Sequence, residues 1–192
     1  ASNRFIGEID ELSADGEYKI SVAANGYSIS SEEYPGTVSD DSYVSNTFII
    51  DTVPPVITAA YSPAVPSAGN TAYSDTRTAV FSVTDKYFRP NELEFSSFSV
   101  TDLEGNPLPN ENEVKEDLLT ALKAAAWTTV GDVHTASAIP FSTEGKYSFT
   151  LKYTDYSGNQ GSYTEATPFI VDKSAPDNTQ IAYITNPVST FL

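Results

Sequence analysis

Residues 145–154, GKYSFTLKYT, alternate without a break: Tyr147, Phe149, Leu151 and Tyr153 fall on one face, and Ser148, Thr150, Lys152 and Thr154 on the other. A period of two sustained this long fits an extended strand with one buried face, because successive side chains leave opposite sides of the pleat. The motif also has an abbreviated earlier copy, DGEYKISVAANGYS at 15–28. Aligning Gly145 with Gly16 pairs Tyr147 with Tyr18, Phe149 with Ile20 and Leu151 with Val22. Further on, FIVDKSAP (169–176) pairs with FIIDTVPP (48–55). The first copy carries about eight extra residues, which fall in a polar loop where insertions are tolerated. Two copies in phase imply a repeating β-module.

In order along the chain, Asp15-Gly16 turns into a half-buried strand with Tyr18, Ile20 and Val22 on one face, and residues 28–46 form a polar, turn-rich loop before FIID at 48–51. TVPP at 52–55 marks a boundary, because Pro54 and Pro55 stiffen the connection and cannot donate to a ladder. A new unit follows. Ile57, Ala59 and Tyr61 alternate as one strand, and Ala79, Phe81 and Val83 as the next. Residues 93–100 form a third, in which the apolar phase changes between Phe95 and Phe98 and implies a bulge. Residues 111–126 read as one short helix, capped by Asn110 with Glu113 three residues on, with Val114, Leu118, Ala121, Leu122 and Ala125 as its apolar face. Trp127 leads through Gly131-Asp132 into another extended run and then into the second copy of the motif. Seven short strands across 53–172 predict an all-β antiparallel sandwich with one inserted helix.

Composition narrows the function. With 10 Lys and Arg against 26 Asp and Glu, the net charge of −16 offers no basic stripe for nucleic acid or an anionic membrane, while divalent cations remain suitable partners. There is no cysteine, which excludes disulfides, thiol catalysis and Cys-based zinc sites. There is also no methionine, so the chain reads as a cut from a larger protein. No apolar run approaches the roughly 18 residues that cross a membrane.

The segments DGEYKI at 15–20 and EGKYSF at 144–149 resemble the tyrosine-corner segment of immunoglobulin folds, with Tyr18 and Tyr147 as the corner residues. More specifically, SDTRTAVFSVTDKYFRPNEL (74–93), GDVHTASAIPF (131–141), GKYSFTLKYTDYSGN (145–159) and FIVDKSAP (169–176) resemble successive segments of bacterial immunoglobulin-like domains. Such domains occur as tandem modules in surface proteins of Gram-positive bacteria. The resemblance implies an immunoglobulin-like sandwich at 53–172, the last strands of a preceding module at 1–52 and the first strand of a following one at 173–192. It further implies an extracellular location and a spacer or adhesion role, with neighbouring modules as partners and a glycan or protein as ligand. The incomplete ends are expected to pair with each other or with a neighbouring molecule, because a few strands alone do not enclose a core.

No phosphate loop, two-His metal motif or nucleophile elbow occurs, and the single histidine, His134, stands near no Ser or carboxylate in a catalytic spacing. The carboxylates Glu92, Glu94, Glu111 and Asp117 fit solvated faces. For a bound ion, calcium is the candidate: Asp85, Asp155 and Asn159 sit in loops expected at one end of the sandwich, and Asp51 and Asp172 sit in the two junctions. The same residues also suit ordinary turns. An intramolecular Lys–Asn bond is disfavoured, because Lys19 and Lys152 lie on the faces opposite Tyr18 and Tyr147. The alternative function is a carbohydrate-binding module, for which Tyr34, Tyr43, Tyr156 and Tyr163 are the aromatic candidates.

Overall fold

The computed structural model describes residues 10–22, 43–66, 72–73 and 75–174. Two central strands organise it. β6 (Arg77–Thr84) carries β5 (Val56–Ser62) along one side and shares the other between β10 (Ile139–Phe141) and β9 (Val133–Ala136), with β8 (Trp127–Val130) beyond β9. In the second sheet, β11 (Gly145–Thr154) pairs with β7 (Leu93–Thr101) on one side, and with β13 (Phe169–Val171) and β12 (Gln160–Thr164) in turn on the other. All these pairings are antiparallel. The fold is an antiparallel β-sandwich with one short helix.

Strand alternation becomes the core directly. Tyr147, Phe149, Leu151 and Tyr153 of β11 are at most 1% exposed, as are Ala79, Phe81 and Val83 of β6. Their rings meet between the sheets, Phe81 edge-on to Phe149 at 6.3 Å and Phe141 stacked on Phe149 at 5.5 Å. Arg77 lies in the same phase of β6 and is also buried, its guanidinium 3.9 Å from the centre of the Tyr61 ring and 4.5 Å from that of Phe169. Aromatic faces supply the electrostatic partner for this charge. The expected phase change in β7 is a register shift: Thr150 faces Ser97 but Leu151 faces Phe95, so one extra residue is accommodated and both Phe95 and Val100 reach the core.

The helix α1 (Glu111–Lys123) packs against β7 and β10, closing one flank between the sheets with Val114, Leu118 and Leu122. Burying each such leucine contributes about 1.5–3 kcal/mol. The expected Asn110 cap does not form, since its side chain makes no capping hydrogen bond. Instead Glu111 turns its Oε1 to the Val100 N–H, 3.1 Å away, and so ties the helix start to β7. The helix also ends at Lys123 rather than 126. There Trp127 donates its indole N–H to the Leu122 carbonyl, satisfying one acceptor of the last turn.

The described residues of 53–172 hold nine strands rather than seven. Gly131, at φ 60°, folds the 127–136 stretch into the β8–β9 hairpin, and a break at 137–138 separates β10 from β9. The first copy of the motif also differs from its expected single strand. β1 (Gly16–Tyr18) pairs with β4 (Phe48–Ile50), while β2 (Ser21–Val22) pairs with β3 (Tyr43–Val44). The strand breaks at Lys19-Ile20 because the Ile20 N–H goes to the Ser45 hydroxyl at 2.8 Å instead of to a ladder.

The segments around Tyr18 and Tyr147 share their local geometry. Gly16, Glu17 and Tyr18 face Ile50, Ile49 and Phe48, and Gly145, Lys146 and Tyr147 face Val171, Ile170 and Phe169. Each tyrosine hydroxyl donates to the carbonyl four residues upstream, Tyr18 to Ala14 at 2.7 Å and Tyr147 to Thr143 at 2.8 Å. Each ring also stacks on its cross-strand phenylalanine, at 5.7 Å for Tyr18–Phe48 and 5.2 Å for Tyr147–Phe169. The acid before each glycine clasps the outgoing chain: Asp15 accepts from the Thr52 N–H and hydroxyl, and Glu144 from the Lys173 N–H and the Ser174 hydroxyl. The described strands of the first copy therefore pair with one another. Residues 175–192 lie outside the described residues.

Candidate metal centre at the junction

Asp51 directly follows β4, Asp85 follows β6 and Asp155 follows β11. β6 and β11 end at the same end of the sandwich, and the hairpin β1–β4 sits against that end. The folded chain brings one carboxylate oxygen from each aspartate within 4.8 Å of the others. Asp85 and Asp155 are only 7% and 4% exposed, and Asp51 is half-buried. Among the described residues, no Lys or Arg forms an ion pair with any of the three.

Each carboxylate is held by its own loop. Asp155 Oδ1 accepts from the Ser157 and Asn159 N–H groups, each at 2.8 Å, and its Oδ2 accepts from Asn159 Nδ2 at 2.8 Å. Asp85 Oδ1 accepts from the Tyr87 N–H at 2.8 Å, and Asp51 Oδ1 from the Val53 N–H at 3.1 Å. Burial pushes the Asp85 carboxyl above its ordinary value near 3.8; the Tyr87 N–H opposes the rise, and the negative charges of Asp155 and Asp51 add to it. A cation of two positive charges would remove that mutual repulsion and accept all three oxygens as hard ligands.

The surrounding groups hold the site together. Asn159 Nδ2 also donates to the Asp51 carbonyl at 2.9 Å, so this residue straps the hairpin to the sandwich. His134 sits with one ring nitrogen 2.8 Å from the Asp85 carbonyl and the other 2.9 Å from the Thr129 hydroxyl, and it stacks on Phe88 at 4.9 Å. A carbonyl only accepts, so Nε2 carries the proton. The Tyr87 hydroxyl donates to Glu17 across the junction at 2.9 Å. Beside the cluster, a crevice of about 240 Å³ opens between the hairpin and the sandwich, lined by Asp51, Asp85, Asp132, Lys86, Tyr87 and Val53.

The remaining candidates lie apart. Asp172 is at the other end of the ten-residue β11, in a turn matching that of Asp51, its Oδ1 accepting from the Ser174 N–H. Tyr163 is partly buried, bonded to the Tyr61 hydroxyl and Glu165. Tyr156 is 63% exposed, with the Arg89 guanidinium 4.7 Å from its ring centre. Tyr43 lies in β3, and Tyr34 lies outside the described residues. Lys152 pairs with Glu94 at 3.2 Å on the outer face of its sheet. His134, Tyr87 and the tie made by Asn159 complete the junction. No local pattern marks them, because each acts through a contact distant in sequence. No helix among the described residues is long and apolar enough to cross a membrane. Comparison with protein-family models, curated proteins and solved structures finds no match to this chain.

Proposed function

We propose that the chain is a non-catalytic structural and adhesion module of a large bacterial cell-surface protein, acting outside the cell as a spacer or display unit. In this reading residues 53–172 are one immunoglobulin-like sandwich, 1–52 contribute the last strands of a preceding module, and 173–192 begin the next. Calcium held by Asp51, Asp85 and Asp155 locks the junction between the first two. The observation that carries the reading is the duplicated corner hairpin seated on the end of the sandwich, with carboxylates from both sides of the seam within 4.8 Å. Such a seam is what a stiff tandem array requires. The side chains at the site suit this better than catalysis, since both ring nitrogens of His134 are already committed to structural partners. Small-angle scattering in calcium and in EDTA tests the proposal: calcium should narrow the distribution of hairpin-to-sandwich distances, and identical profiles would count against a cation-locked junction.

A second reading, a carbohydrate-binding module, rests on Tyr156, an exposed ring with an arginine over it. Retardation in an affinity gel containing a polysaccharide, lost in Tyr156→Ala, would favour it over the spacer.

A further inference from the structure

We draw no further inference here: the strongest candidate, the Tyr18–Phe48 aromatic face of the β1–β4 hairpin, is half-buried where its counterpart Tyr147–Phe169 is covered by the facing sheet, but nothing among the described residues shows what covers it.

Discussion

Replacing Asp51 by asparagine removes one charge from the carboxylate cluster and keeps an oxygen for the Val53 N–H, which isolates electrostatics from local geometry. Two unit charges 4.8 Å apart repel by about 3 kcal/mol at an effective dielectric near 20. Asp51 faces two such neighbours, but it is half-exposed, and solvent screening leaves about 1–2 kcal/mol to be relieved. In EDTA, Asp51→Asn should therefore melt above the wild type, by about 2–8 °C for a chain of this size. Calcium should reverse the order. At about 100 times its dissociation constant the ion adds about 2.7 kcal/mol to the wild type, and the variant, short of one anionic ligand, should gain much less. Differential scanning calorimetry of both proteins in EDTA and in calcium reads the crossing. A variant less stable than wild type in EDTA, or stabilised by calcium as much as wild type, would rule out a charge-repelled cation site at Asp51.

Tyr147→Phe leaves the Thr143 carbonyl without its 2.8 Å donor and should cost about 1–2 kcal/mol in urea denaturation. Burial raises the Tyr147 hydroxyl from 10.0 to about 12, so the unfolded chain ionises first; the wild type should lose stability as the pH climbs from 10 towards 12, with a shallower loss in the phenylalanine variant. Gly161→Ala would drive a methyl group into the Pro55 carbonyl oxygen, forcing β12 away from the start of β5. A loss of about 3 kcal/mol or more is expected, and an unchanged melting point would contradict the close approach. Phe149→Ala empties the centre of the core, where the ring is 1% exposed and meets Phe81, Phe95 and Phe141; equilibrium unfolding should show a loss of about 3–5 kcal/mol.

The parts of the fold legible in the sequence were those decided by local periodicity. The alternation of β6 and β11 states which face is buried, and the phase change between Phe95 and Phe98 is visible because a bulge exchanges faces within the strand itself. The grouping of Asp85 with Asp155 was legible for a related reason: each directly follows a central strand, so antiparallel topology alone puts both at one end. What escaped depends on partners far away in sequence. Asn110 has the residue type of a cap, yet the helix start is held by Glu111 reaching a strand eleven residues earlier. Tyr163 has the composition of a loop aromatic, but pairing with β11 places it over the core, and its hydroxyl meets Tyr61 from the other sheet. The break at Lys19-Ile20 arises from a serine 25 residues away, which no pattern within 15–22 encodes.

The most direct test of the calcium-locked junction is calorimetric titration of the chain with calcium after exhaustive chelation. One ion per chain is expected, with loss of that heat in Asp51→Asn and the fold intact by circular dichroism. No binding heat in the wild type, or the same heat in the variant, would contradict it.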